Sequence, residues 1–241
     1  MNLIIMWVVI ILIFMVYQAI KIESFNASSY HRSTGKTYFQ VIFDKGLKGE
    51  YLTYKELKFI EKDGNMFLFN VYLPKKSNDQ ETTEIDVLAI THYGIMVFES
   101  KNYGGWIFGD EKSTKWCQSL PATKGNKSKK EYFFNPINQN KGHISALKQM
   151  LEDKCINVPY WNVIVFSERC ELKKMSITSQ DISVVKRNEI HKAIKRINTL
   201  GSPVVSDVDI LRIYENLYPY SQVSDEVKAK HIADIQSRIK K

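Results

Sequence analysis

Residues 84–101 read EIDVLAITHYGIMVFESK. Two apolar, β-branched runs flank Thr91–Gly94, the pattern of two strands joined by a tight turn. With His92–Tyr93 as a two-residue turn, Ile90 pairs with Ile95, Leu88 with Val97, Asp86 with Glu99 and Glu84 with Lys101. Side chains alternate between faces along a strand. Asp86, Glu99 and Lys101 therefore share a face with Leu88, Ile90, Ile95 and Val97, while Ile85, Val87, Met96 and Phe98 line the other. Apolar residues on both faces place this hairpin in the middle of a covered sheet.

Two carboxylates facing each other on such a hairpin are costly. A divalent cation compensates them: Mg²⁺ takes carboxylate oxygens and waters and leaves room for a phosphate. A lysine beside it orients or deprotonates an attacking water. The alternative is a partly exposed edge hairpin in which Glu84 or Lys101 merely neutralises the pair.

Outward from the hairpin, residues 46–62 carry an apolar stripe near the helical period, with Leu47, Tyr51, Tyr54, Leu57 and Ile60. Residues 66–73 (MFLFNVYL) read as a strand and the polar segment PKKSNDQETT as a turn or loop. Further short strands are expected at 105–109 and 114–119, and a lysine-rich loop at 120–131. Asn135–Pro136 starts a helix running to about Asp153, Asn suiting the cap and Pro the first turn. WNVIVFS (161–167) reads as a buried strand, and helices are expected at 186–198, 206–217 and 224–240. This order predicts an α/β fold with a mixed central sheet flanked by helices.

The stretch EIDVLAI followed by GIMVFESKNYGG resembles the nuclease-related domain, NERD, of the PD-(D/E)XK nuclease superfamily. Gly49–Glu50, Trp116 and Asn135–Pro136–Ile137–Asn138–Gln139 extend the resemblance over roughly residues 46–167. Asp86 matches the motif aspartate and Glu99–Ser100–Lys101 the E-x-K element; Ser100 stands where the family more often has an apolar residue. Glu50 matches the family's helical glutamate and Gln139 its helical glutamine. The resemblance implies a restriction-endonuclease-like fold, Mg²⁺ at Asp86 and Glu99, and a catalytic set of Glu50, Asp86, Glu99, Lys101 and Gln139. It also implies hydrolysis of phosphodiester bonds, with DNA expected. The rival functions are a catalytically silent nucleic-acid-binding module and a membrane scaffold for a protein partner.

The chain has 241 residues and a formal charge of +8, a balance suited to nucleic acid or an anionic membrane surface. Lys124, Lys127, Lys129 and Lys130 cluster in one segment and are candidates for phosphate contacts, against the plainer reading of a solvated loop. The five histidines show no metal-ligand spacing, and no Ser/His/Asp or Cys/His motif occurs. Cys117, Cys155 and Cys170 are odd in number and form no CxxC pair, as expected of reduced thiols.

Leu3–Ile20 carries no charge and as a helix spans roughly 27 Å, near the thickness of a bilayer core. No basic residue precedes it and no small-residue cleavage site follows, so an uncleaved anchor is expected rather than a signal peptide. Lys21, Arg32 and Lys36 follow the run, which places the soluble domain on the cytoplasmic side of the cell membrane. The expected layout is an anchor at 1–20, a polar juxtamembrane linker at 21–40, the nuclease-like domain at 41–200 and a C-terminal helical extension at 201–241.

Overall fold

The computed structural model describes residues 2–75, 78–121 and 128–239. The central sheet has five strands: β1 (Met66–Lys75), β2 (Asn78–Thr91), β3 (Gly94–Lys101), β7 (Tyr160–Phe166) and β9 (Ile182–Lys186), in that spatial order. β1, β2 and β3 run antiparallel, while β3, β7 and β9 run parallel. A second sheet, in the order β6-β5-β4-β8, is made of β4 (Gly105–Asp110), β5 (Lys115–Leu120), β6 (Lys129–Phe134) and β8 (Cys170–Ser176). The fold is thus mixed α/β with two mixed sheets flanked by helices.

The hairpin register is the expected one, with Ile90 opposite Ile95 and Val87 opposite Phe98. Gly94 closes the turn at φ 108°, where a Cβ would lie 2.3 Å from the Pro159 carbonyl oxygen. The ladder ends at Val87–Phe98, so Asp86–Glu99 and Glu84–Lys101 are not ladder pairs. The face alternation also breaks there. Ile85 packs with Leu88 and Ile90 rather than with Val87, and in the neighbouring strand Val71 packs with Leu68 rather than with Phe69. The switch falls at Asp86 and at Asn70, whose φ of 49° is left-handed. A one-residue irregularity of this kind flips the side chains beyond it to the other face.

Helices cover both faces. α4 (Lys45–Leu57) and α6 (Ile190–Leu200) bury Tyr54, Leu57 and Ile194 against Val87, Met96 and Phe98. α5 (Pro136–Glu152) and α7 (Asp207–Ser221) bury Leu147, Leu151, Ile210, Ile213 and Leu217 against Leu88, Ile95 and Val97. A third cluster, including Ile107, Trp116, Ile137 and Phe166, joins the two sheets. Each of the three long apolar strands is buried along most of its length, as expected of a sheet covered on both sides.

Several segments differ from the sequence reading. α1 (Asn2–Asn26) continues past the apolar run, and short helices α2 (Ser29–Thr34) and α3 (Tyr38–Phe43) follow it directly. Phe25, Tyr30 and Val41 are fully buried with Tyr51 and Tyr54, so the segment expected as a polar linker carries helices that pack these residues against the domain. Sparse aromatics among polar residues conceal such packing from a hydropathy count. Of the polar segment after Leu73, residues 74–75 belong to β1 and 78–83 to β2, with Leu73 opposite Thr83, while 76–77 lie outside the described residues. β6 occupies part of the expected lysine loop. β8 and β9 were not expected, β8 because its sequence CELKKMS is largely exposed. α7 contributes to the core, and α8 (Asp225–Ile239) brings His231 to 6% exposure against β2.

Candidate active site

The interruption of the ladder at Asp86 opens the end of the β2–β3 hairpin. In place of a strand partner, Asp86 Oδ2 accepts a hydrogen bond from the Ser100 backbone N–H at 3.1 Å. Glu99, one residue earlier on β3, is 2% exposed. Its Oε1 accepts from Lys101 Nζ at 2.6 Å and its Oε2 lies 3.2 Å from His143 Nε2. Lys101 Nζ also donates to Gln139 Oε1 at 3.1 Å. The Asn135 cap and Pro136 start α5 just before Gln139, so its first turns deliver Gln139 and His143 to this cluster.

Glu50 arrives from α4. Its Oε2 accepts from Asn70 Nδ2 at 3.1 Å and from Tyr30 O–H at 3.4 Å. The left-handed turn at Asn70, allowed for asparagine at low cost, lets the same amide also reach Glu84 Oε1 at 3.5 Å. Glu84 does not neutralise the Asp86–Glu99 pair. Its Oε1 accepts from Tyr72 O–H, and its Oε2 lies 3.6 Å from His231 Nε2.

The electrostatics separate the carboxyls. Loss of solvent raises Asp86 well above the ordinary aspartate range, and the charges of Glu99 and Glu50 add to this. Lys101 and the Ser100 N–H offset only part of it. Burial also acts to raise Glu99, but Lys101 and His143 more than reverse it, and Glu99 ends below its usual value. Desolvation pushes Glu50 up to about 7 against the pull of the Asn70 amide, with Glu84 adding to the rise. Burial opposes the charge of Lys101, but Glu99 and Asp86 outweigh it and its pKa is raised, so it is an ammonium at neutral pH. A protonated lysine stabilises negative charge and cannot take a proton from water.

No group of three or more His, Cys, Asp or Glu side chains able to hold a metal is assembled among the described residues. Asp86 and Glu99 are nevertheless a fitting donor pair. They offer hard carboxylate oxygens, and one of them lacks the positive charge its burial calls for. A magnesium ion needs only one or two protein carboxylates, the rest of its shell being water and phosphate.

The structure brings together Glu50, Asp86, Glu99, Lys101 and Gln139 as the sequence reading grouped them. Lys129 and Lys130 lie exposed on β6, the edge strand of the second sheet, with Lys129 ion-paired to Glu131. Lys124 and Lys127 lie outside the described residues. Tyr103 packs against Phe133 and Phe166 in the third core cluster. Two contributors were missed. His143 follows Gln139 by four residues and so shares its helix face, a spacing that could have revealed it. Asn70 is the one polar residue in MFLFNVYL, a signal for a strand irregularity.

These features define a carboxylate–lysine site at the open end of a central hairpin in an α/β fold. The sequence model of the nuclease-related domain matches residues 45–167, just over half of the chain. The protein belongs to the NERD family, which suggests a nuclease-related function. It is also similar to an uncharacterized Bacillus anthracis protein, 28% identical over 197 residues that cover 82% of this chain and 86% of that one. No solved structure matches significantly.

Proposed function

We propose that the protein is a membrane-anchored, Mg²⁺-dependent nuclease that hydrolyses phosphodiester bonds of DNA, with its soluble domain facing the cytoplasm. The observation that carries this reading is the convergence of Asp86 and Glu99 on one lysine, with Glu50 acting on Asp86 and Asp86 left short of positive charge. Asp86 and Glu99 would hold the cation, which supplies positive charge against the phosphoryl oxygens and the departing oxygen. Lys101, fixed by Glu99 and Gln139, stabilises the negative charge that develops on the phosphate. Glu50, held near 7, is matched to accept the proton of the attacking water at neutral pH. Water oxygen forms the new P–O bond, the bond to the leaving sugar oxygen breaks, and that oxygen takes a proton from solvent. His143 positions Glu99 through its ring nitrogen. Lys124, Lys127, Lys129 and Lys130 serve as sequence-independent phosphate contacts.

The anchor reading rests on the helix Leu3–Asn26, which contains an 18-residue window of mean hydropathy 2.8 with none of that window buried. Lys21, Arg32 and Lys36 on its C-terminal side favour the cytoplasmic orientation. The burial of Phe25 against Tyr38 and Tyr51 fuses this helix to the domain, so catalysis would occur close to the membrane surface.

The test is digestion of plasmid DNA, and of RNA in parallel, by the full chain in detergent. Cleavage is expected only with Mg²⁺ and is expected to vanish in Asp86→Ala. Equal cutting by that variant defeats the assignment.

A further inference from the structure

The strands β3, β7 and β9 are adjacent and parallel, and the residues just beyond their carboxyl ends are Asn102, Glu168, Arg169 and Arg187. In open α/β sheets this edge is where ligands bind. Here it carries a pocket of about 420 Å³, completed by Lys45 and Lys48 of the first turn of α4. Asn102 directly follows Lys101 in sequence and lies against Gly49 of α4, so the pocket sits on the α4 face of the strand end, across β3 from the side chains of Glu99 and Lys101.

The charge balance of the pocket is uneven. Lys45, Lys48, Arg169 and Arg187 face a single carboxylate, Glu168. Arg187 is 2% exposed, an unusual fate for an arginine. Its Nη1 donates to Glu168 Oε2 at 2.9 Å. Its Nε and Nη2 have no hydrogen-bond partner among the described residues. Those two atoms form one edge of the guanidinium fork, the edge whose parallel N–H groups match two oxygens of a phosphate or carboxylate. A buried cation with an empty edge is costly unless an anion completes it. Arg169 Nη2 is already turned inward, donating to the Asn102 carbonyl at 3.0 Å and its side-chain oxygen at 2.9 Å. Asn102 Nδ2 in turn donates to the Lys45 carbonyl at 2.8 Å, tying the start of α4 to the end of β3.

Resting on the nuclease reading above, we propose that this pocket binds a backbone phosphate of the nucleic-acid substrate. Lys45 and Lys48 at the pocket mouth meet its oxygens, and a shift of the Arg187 side chain, whose Nε and Nη2 have no exposed surface as they stand, brings the unpartnered edge to two of them. The contact reads no base. It holds the strand in register beside the catalytic carboxylates, so that a phosphate nearby reaches Lys101.

The experiment uses the full chain in neutral detergent with EDTA, so that binding is read without cleavage. A labelled DNA duplex is titrated across a range of salt concentrations against the wild type, Lys45→Gln, Lys48→Gln and Arg187→Lys. Each rim lysine variant is expected to bind a few-fold more weakly and to make the slope of log affinity against log salt shallower by about 0.9. Arg187→Lys, which swaps the fork for a point charge, is expected to lose about tenfold. Inorganic phosphate should raise the thermal midpoint of the wild type and not that of Arg187→Lys. The two lysines are on the surface and serve as the readout if Arg187→Lys does not fold. Folded variants with wild-type affinity and slope overturn the proposal. Selective loss of binding to anionic-lipid vesicles, with duplex binding intact, assigns the pocket to a membrane headgroup and overturns it equally. Failure of the wild type to bind duplex would bring down the nuclease reading as well. Failure of the pocket alone shows as variants that still bind and still cut in Mg²⁺.

Discussion

Asp86 and Glu111 are both acidic residues lodged in the domain, and their surroundings are opposite. Glu111, at the end of β4, accepts from the Thr178 and Ser179 backbone N–H groups, from both their hydroxyls and from Lys141. The Ser179 hydroxyl is the largest influence, and together with the backbone donors it holds Glu111 down to about 2. Asp86 has one backbone donor and two carboxylate neighbours, and it is raised. A carboxylate whose lone pairs are filled by fixed donors is part of the scaffold: it ties the β4–β5 turn to the segment between β8 and β9. A carboxylate that the fold withdraws from water and leaves under-compensated keeps its capacity for a ligand. Substitutions at the two places should therefore divide between stability and chemistry.

The largest effect is expected on the chemical side. Lys101→Ala should lower Mg²⁺-dependent cleavage by about 10³-fold, the usual scale for removing one fixed charge-stabilising group. Thermal stabilisation by Mg²⁺ should persist, because an ammonium does not ligate a cation. A variant that cuts at the wild-type rate removes Lys101 from the mechanism.

Next is the scaffold side. Glu111→Ala leaves several donors without an acceptor and should destabilise the domain by about 2–3 kcal/mol, with little direct effect on chemistry. Because Glu111 is depressed in the folded state, its contribution is present above its unfolded pKa of about 4.5 and is lost as pH falls toward about 2. Wild type and variant should thus converge in thermal midpoint in strong acid. A constant gap down to pH 2 means the loss is packing rather than charge.

The hairpin was legible in the sequence because its information is local. Alternation, a two-residue turn and apolar runs specify the register from Ile90–Ile95 to Val87–Phe98 without reference to the rest of the chain. The grouping of Asp86, Glu99 and Lys101 followed from it, and the family motifs supplied Glu50 and Gln139. What escaped depends on distant partners. The face switch at Asn70 and Asp86 needs both strands at once. Phe25 and Tyr30 are isolated aromatics whose burial is created by Tyr51 and Tyr54 of α4. Arg187 reads as one more surface charge until three strand ends and a helix start are placed around it. β8 has no apolar pattern of its own and exists because β4 offers it an edge.

A smaller effect separates Asp86 from Glu111 in sign. Asp86→Asn should stabilise the metal-free protein at neutral pH by about 1 kcal/mol, since it removes a charge repelled by Glu99 and Glu50. The raised pKa means that folding favours the protonated form, so the cost sets in as pH rises through the ordinary aspartate range of the unfolded chain and is complete above the folded value. The gain should therefore shrink in acid. Mg²⁺ should then raise the wild-type midpoint and not the variant's, since a ligand for the folded state stabilises by mass action. If Asn instead lowers the midpoint, and Mg²⁺ affects neither protein, Asp86 is a scaffold group like Glu111.

The smallest effect tests whether Glu50 belongs with Asp86 as a chemical carboxylate. Its pKa of about 7 results mainly from desolvation, and the Asn70 amide is the largest force acting the other way. Asn70→Ala is a poor probe, because φ at 49° would strain an alanine and disturb the face switch. Asn70→Gly keeps that backbone available and removes only the amide. Without this donor the ionised form of Glu50 loses a hydrogen bond, so its pKa should rise further. If ionised Glu50 accepts the proton from water, cleavage increases as pH passes its pKa. The rising limb of the rate–pH profile should then move to higher pH, by less than about one unit for one lost neutral hydrogen bond. The plateau rate above that limb should change little. A profile that falls in height without moving would mean that Asn70 shapes the strand only, and that the group titrating near neutrality is not Glu50. Glu50→Gln decides between these cases: it should abolish the limb altogether if Glu50 is the proton acceptor, and leave it in place if it is not.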